Sequence, residues 1–510
     1  MNAEPITKVV IVGGGTAGWM AATALAHIMG KLPSFSITLV ESEAIGTVGV
    51  GEATIPQIIG FNRMIGLDEM EFMRETRATY KLGIEFVDWL RLGHSYVHPF
   101  GTHGIDMLGI EFQHFWIRGK ALGDTASIDE YSIAAMAGKA GKFDWPRPDT
   151  KSPMAKLAYA FQFDAARYAA FLRKKAEAAG VRRIEGRVVE VEQESETGHV
   201  AALMLDNGTK VEGELFVDCS GFRSLLLGQA LDVPFSDWSH WLPCDSAVAV
   251  PCTLGGRNEP LTRSTARSAG WQWRIPLQHR IGNGHVFASD HLDRSEATDL
   301  LLANLDGEPL AEPNQLSFKA GHRARAWEKN VVALGLAAGF LEPLESTSIH
   351  LVQSGIARLM SLFPDKSFSE VEIARFNKET EREYSDIRDF LVLHYHCTER
   401  DDSDFWRYCR NLEMPDGVLE KIEMFRRSGR IFRENNELFT EASWLSVMLG
   451  QGVVPLTHHP VARLLDETET LNRLAHIRKV IEQTAQQLPT QDQFLQQRGG
   501  AMSPRERLSA

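Results

Sequence analysis

The residues with the clearest chemistry stand near the start of the chain. Gly13, Gly15 and Gly18 form a Gly-x-Gly-x-x-Gly loop that also contains Thr16 and Ala17, and the acidic Glu41 follows downstream. Glycines at this spacing permit a tight turn and a close backbone approach to a pyrophosphate. A helix starting at the loop would offer unpaired N–H groups and the positive end of its dipole. Glu41 is suited to accept hydrogen bonds from a ribose. The competing reading is a glycine turn with no ligand. The loop alone does not separate NAD from FAD.

The elements around the loop favour the nucleotide reading. Ile6–Val12 reads as a short buried strand, Trp19–Met29 as a helix, and Ile37–Val40 as a second strand ending on Glu41. This is the βαβ order that a dinucleotide fold requires. Downstream, Asp164–Gly180 reads as a helix, Ile184–Val191 and Val200–Leu205 as alternating strands, and Val211–Asp218 as a strand running into Cys219-Ser220-Gly221. Val331–Leu334 is a late strand before a glycine-rich turn. Such dispersed strands fit one nucleotide-binding domain with inserts. From about Ile349 to Gln483 the pattern is mostly helical, and the Gln-, Arg- and Ser-rich tail from about residue 486 is expected to be loosely packed or disordered.

Composition narrows the class. The 510 residues suffice for two or three packed modules. With 54 Lys and Arg against 67 Asp and Glu, the net charge is −13, which argues against a nucleic-acid partner. Five scattered cysteines form no CxxC pair, so neither a zinc site nor a disulfide framework is expected, and reduced thiols in a cytoplasm are the simpler reading. No signal peptide and no membrane-spanning apolar run is read.

Four further segments identify a family. They are Gly49-Val50-Gly51-Glu52-Ala53-Thr54-Ile55-Pro56; Tyr80-Lys81-Leu82-Gly83-Ile84 with His98-Pro99-Phe100-Gly101; Trp271-Gln272-Trp273-Arg274-Ile275-Pro276; and Glu342-Pro343-Leu344-Glu345-Ser346-Thr347-Ser348-Ile349. Together with the glycine loop, and in this order, they resemble the flavin-dependent tryptophan halogenases over about residues 7 to 450. The resemblance implies an α/β fold: a Rossmann-like FAD-binding domain of the flavin monooxygenase type with a helical substrate module. Residues 1–350 are then expected to form the FAD domain with inserted substrate-side segments, and 351–510 the mostly helical module.

The same resemblance implies the chemistry. A separate NAD(P)H-dependent flavin reductase supplies FADH2, and oxygen forms a flavin C4a-hydroperoxide. Chloride or bromide attacks it, and the resulting hypohalous acid travels to a lysine beside a small aromatic substrate. Carried over by position, that lysine is Lys81, whose amine would hydrogen-bond the acid or take up the halogen, and the assisting carboxylate is Glu345. Thr347 and Ser348 match the halide site, with Ser348 where the family carries glycine. Gly13, Gly15, Thr16, Ala17, Gly18, Glu41, Ala53, Val188, Leu336 and Ile349 match flavin contacts, and His98, Phe100 and Trp444 match the ring-holding residues. Trp271 and Trp273 are expected to be structural. The resemblance leaves room for a homodimer.

Three rivals stand at this level, one of them a non-enzyme flavin-binding scaffold or sensor, which would have no need of Lys81 and Glu345 together. An FAD aromatic monooxygenase shares the fold, but its late Gly-Asp pair is missing from Gly335-Leu336-Ala337-Ala338-Gly339. A halogenase of free tryptophan would carry adjacent tyrosines for the amino-acid head, whereas this chain reads Asn436-Glu437-Leu438-Phe439-Thr440-Glu441. Indole, or an indole without that head, is therefore the expected substrate, with bromide accepted at least as well as chloride.

Overall fold

The structure is a computed structural model that describes residues 4–44, 51–255, 258–434 and 436–502. Gly49 and Val50 of the second glycine motif lie outside the described residues. The chain forms two compact units. One comprises residues 1–77, 163–239 and 318–385, and the other 78–162, 240–317 and 386–510.

The first unit is built on a six-stranded sheet in the order Trp327–Glu328, Val331–Ala333, Leu215–Asp218, Lys8–Val12, Ser36–Glu41, Arg182–Glu185. All neighbours pair in parallel except the edge strand Trp327–Glu328. Lys8–Val12 sits inside the sheet, which is why its residues from Val9 onward form an unbroken apolar run. The helix Thr16–Met29 packs on the helix Ala165–Ala178, and the Thr23 hydroxyl donates to the Leu172 carbonyl at 3.2 Å. Asp164 caps the second helix by accepting from the Arg167 amide.

Two expected strands are each two strands. Ile184–Val191 divides into Arg182–Glu185, in the parallel sheet, and Val188–Gln193, in a separate antiparallel meander with Val200–Leu205 and Lys210–Glu212. The break falls at Gly186, whose φ of +157° and closeness to Leu205 admit no ordinary side chain. Val211–Asp218 divides at Gly213, where a Cβ would stand 2.7 Å from Val10.

The second unit carries a seven-stranded sheet in the order Asn314–Ser317, Ser246–Cys252, Ile281–Phe287, Gly270–Pro276, Thr262–Arg267, Gly83–Val87, Ser95–Pro99. Gly270–Pro276, which bears the Trp-x-Trp-x-Ile-Pro motif, is fully buried in its middle. Helices Phe112–Ala121, Ile133–Lys139, Asp416–Ser428, Glu441–Gly450 and Glu467–Gln487 belong to this unit. No described helix is long and apolar enough to cross a membrane.

The boundary expected at residue 350 does not coincide with these units. The helix Ser348–Ser361 packs against Thr16–Met29 and so belongs with the nucleotide sheet, and the long helix Glu370–His396 passes from one unit into the other. The tail also departs from expectation. Gln491–Arg498 is a helix with a Thr490/Gln493 capping box, and Phe494 and Leu495 are buried.

Candidate active site

The glycine loop follows the first strand directly. The Gly13 amide donates to the Val40 carbonyl at 2.8 Å, and the Trp19 amide to that of Gly15 at 3.1 Å. Gly13 has φ +114°, and a Cβ there would lie 2.2 Å from the Cys219 carbonyl oxygen; one at Gly18 would lie 1.8 Å from the Gly13 oxygen. At Gly15, by contrast, an added Cβ meets nothing within 4 Å. The loop is thus packed tightly on its inner side and open at the start of the helix, where Thr16 and Ala17 are only partly covered. Gly335 approaches the same helix, since its Cβ would stand 3.0 Å from that of Ala17, and this brings the Leu336 turn to the loop.

Glu41 ends its strand close to the loop, as expected, but it already has partners. Its carboxylate bonds Arg183, has Arg173 at 3.6 Å, and accepts from the Trp19 indole N–H at 3.3 Å. A ribose would share the carboxylate with these groups. Sequence reading missed both arginines, because Arg183 becomes Glu41's neighbour only through strand pairing across 142 residues. Ala53 is buried in the short strand Gly51–Ala53, and Val188 opens the meander. Backbone N–H groups at the open helix start and an acidic strand end, with the Leu336 turn brought to the loop and Ile349 on a helix packed against the same one, fit FAD.

The Glu342–Ile349 segment turns sharply into a helix. Pro343–Glu345 forms one 3-10 turn, Ser346 adopts a left-handed conformation at φ +60°, and the helix Ser348–Ser361 begins after Thr347. Its first-turn amides have no intrahelical acceptors. Glu345 and Thr347 are both 0% exposed, and the Thr347 hydroxyl has no hydrogen-bond partner among the described residues. Unpaired amides at the positive end of a helix, beside an unsatisfied buried hydroxyl, suit a small anion. Ser348 retains its backbone amide and stays partly exposed. Within the first turn of the helix, His350 meets Glu383 at 3.0 Å, and Glu383 also holds Ser354 and Arg358. Burial would raise the Glu383 carboxyl, but the hydrogen bond and charge of His350, and after it Arg358, hold it below its usual range.

In the second unit, Lys81 ends the strand Thr79–Lys81, opposite Ala160, and is 0% exposed. Its amine stands 5.3 Å from the centre of the Phe100 ring. The hairpin Gly83–Val87/Ser95–Pro99 makes this contact: Gly83 pairs with Pro99, and the Phe100 amide donates to the Leu82 carbonyl at 2.7 Å. The Thr79 hydroxyl donates to the Pro276 carbonyl at 2.7 Å, so the end of the Trp-x-Trp-x-Ile-Pro strand holds the lysine strand. Tyr80 stacks on Phe143 at 3.7 Å, and its amide donates at 2.6 Å to the buried side chain of Gln491. Trp271 and Trp273 lie 6.1 Å apart within the sheet, with Gly284 on the next strand leaving room for the Trp273 ring.

His98, Phe100 and Trp444 are all buried. The structure adds two rings that the sequence did not single out. Phe390 and Phe439 stack at 3.8 Å, His98 lies 5.7 Å from Phe390, and Trp444 meets Phe390 edge-on at 5.0 Å. Phe390 was hidden in a 27-residue helix whose periodicity reads as ordinary core. Beside this cluster the Lys421 amine lies 5.1 Å over the Trp444 ring and pairs with Glu437 at 2.7 Å. Glu441 meets Arg433 at 3.1 Å.

One unit thus holds a parallel nucleotide sheet with a loop suited to FAD and a helix start suited to an anion, and the other a buried lysine over an aromatic ring; these are the parts that a flavin-dependent halogenase needs. Comparison with known proteins agrees. The Tryptophan halogenase family model matches residues 8–467, and the chain belongs to that family. It is 35% identical to tryptophan 6-halogenase ThaL of Streptomyces albogriseolus, over 97% of this chain and 99% of ThaL. Two solved structures superpose closely. Xcc4156, a flavin-dependent halogenase from Xanthomonas campestris, is 48% identical with a TM-score of 0.94, covering 98% of this chain and 99% of that one. BrvH, a flavin-dependent halogenase from Brevundimonas sp. BAL3, is 46% identical with a TM-score of 0.93, covering 96% and 99%. The chain is therefore an FADH2-dependent halogenating enzyme that uses chloride or bromide. Enzymes of this class need a separate flavin reductase and an aromatic substrate.

Proposed function

We propose that this enzyme halogenates indole or an indole derivative lacking a free amino-acid head, and that Lys81 delivers the halogen. The observation that carries the reading is the fully buried Lys81 amine held over the Phe100 ring. Reduced flavin, when bound, supplies with oxygen the oxidising power that turns halide into hypohalous acid. The chain's own residues do the rest. Gly13, Gly15, Thr16, Ala17 and Gly18 seat the cofactor's phosphates, with Glu41 at the ribose and Ala53, Val188, Leu336 and Ile349 along the remainder. The Thr347 and Ser348 amides hold the halide. The Lys81 amine donates a hydrogen bond to the acid's oxygen or carries the halogen on nitrogen, and burial keeps it from bulk water. His98, Phe100 and Trp444 hold the flat ring by dispersion and edge contacts. Glu345 stabilises the cationic ring and takes its proton. We place the reductase, dependent on NAD(P)H, as the partner, with a cytoplasmic setting and a homodimer as the assembly to test by light scattering.

The substrate reading is tested by rates with indole and tryptophan under the same reductase supply. Indole is expected to react faster, favouring the electron-rich C3. A tryptophan zwitterion would have to displace the Lys421–Glu437 pair to find partners, and burying it unpaired is costly. Faster tryptophan turnover at one benzo-ring position would refute this. Halide choice gives a second test. With Ser348 in place of glycine, bromide, the more easily oxidised ion, is expected to match or exceed chloride in competition at equal concentrations. A predominantly chlorinated product would count against it.

A further inference from the structure

His103 has no role in the chemistry described so far, yet the fold spends effort on burying it. The residue is 5% exposed, and neither ring nitrogen has a hydrogen-bond partner among the described residues. A buried imidazole carries one donor and one acceptor, and leaving both unmet is unfavourable. A core position with no ligand to serve would be better filled by phenylalanine or leucine.

The backbone around His103 is held in a demanding shape. Gly101 has φ +100° and bridges Leu157, and a Cβ there would lie 2.3 Å from the Lys156 carbonyl oxygen. Gly104 has φ +50°, donates its amide to the Tyr131 carbonyl at 2.7 Å, and has the Phe112 ring where a Cβ would be. Two left-handed glycines therefore pin the loop on either side of the histidine. The strand Ser95–Pro99, which carries His98, runs into this loop, and Phe100 follows it under the Lys81 amine.

We infer that His103 is a positioning residue for the halogenation substrate: its imidazole accepts a hydrogen bond from the ring N–H of an indole- or pyrrole-type substrate held by His98 and Phe100. The inference rests on the aromatic substrate reading above and sharpens it to N–H heteroaromatics. Such a contact gives the ring N–H a neutral acceptor, and it fixes which edge of the ring turns toward Lys81. Burial, and to a lesser extent the nearby His98, pushes His103 down to about 4. The ring is then neutral at physiological pH and keeps a lone pair to offer.

The experiment compares indole with 1-methylindole, which has no N–H but an equally reactive ring. Wild type, His103→Phe and His103→Asn are assayed with FAD, a flavin reductase and bromide. Wild type is expected to favour indole. His103→Phe is expected to raise KM for indole about tenfold, the worth of one neutral hydrogen bond, with kcat nearly unchanged. It should leave 1-methylindole turnover as in wild type. His103→Asn, which keeps an acceptor, should recover part of the loss. FAD affinity and melting temperature of His103→Phe should equal or exceed those of wild type, since an unsatisfied polar group is removed. Equal losses on both rings would make His103 a packing residue, and no loss on indole would remove it from the site; either result overturns the inference. Wild type that halogenates neither ring would sink the indole reading itself, a failure visible before any variant is made.

Discussion

Replacing Lys81 with methionine is expected to give a protein that binds FAD, consumes reduced flavin with oxygen, and forms no halogenated product. The side chain is fully enclosed, so the substitute must conserve its volume, and an unbranched methionine does so. The strand should keep its place, because its anchors are the Thr79 hydroxyl, the Tyr80 amide and the Tyr80 ring, none of which the substitution touches. The amine alone is lost. Residual product is expected at least about a hundredfold below wild type, the scale of removing a positioned proton donor or acceptor. Flavin oxidation followed by absorbance, with product quantified by mass spectrometry in the same reaction, separates the two halves of the chemistry. Wild-type yield from Lys81→Met would remove the lysine from the mechanism.

Glu345→Gln is expected to have the next largest effect. The residue is enclosed in a 3-10 turn, and glutamine occupies the same space without the charge. A carboxylate that steadies a cationic ring is felt in the transition state more than in the bound substrate. The expected signature is therefore a fall in kcat on the order of a hundredfold with KM little changed. FAD titration and halide dependence should stay as in wild type, since the amides of Thr347 and Ser348 remain. A normal kcat would assign the chemistry to another base.

The local parts of this architecture were legible in the sequence, and the long-range ones were not. The strand, the glycine loop, the helix after it and the strand ending on Glu41 follow one another within 41 residues, so spacing and residue type were enough to read them. The Arg183–Glu41 contact depends on a strand pairing that periodicity does not report. Gly186 and Gly213 divide strands that alternation reads as continuous, because a single glycine inside an alternating stretch marks a bulge or a close approach as readily as a change of sheet. His98, Phe100 and Trp444 were read from motif positions; Phe390 and Phe439 joined them only when the chain folded back. The polar composition after residue 486 concealed a helix because its buried side is short, with Gln491, Phe494 and Leu495 as its enclosed residues.

That last helix sets the order in which the enzyme can come into being. Tyr80, next to Lys81, gives its amide to Gln491 across 411 residues of chain, and Phe494 meets its ring edge-on at 5.5 Å. During synthesis the glycine loop can turn and its strands can pair early, whereas the lysine strand waits for a partner that leaves the ribosome hundreds of residues later. A nascent or clipped chain could thus acquire the means to handle flavin before it has a settled amine to receive the oxidant. Release of hypohalous acid without a fixed acceptor would damage the cell's own methionines and thiols. Chains cut just before Gln491 would be expected to show that leak, as oxidised protein rather than as halogenated product.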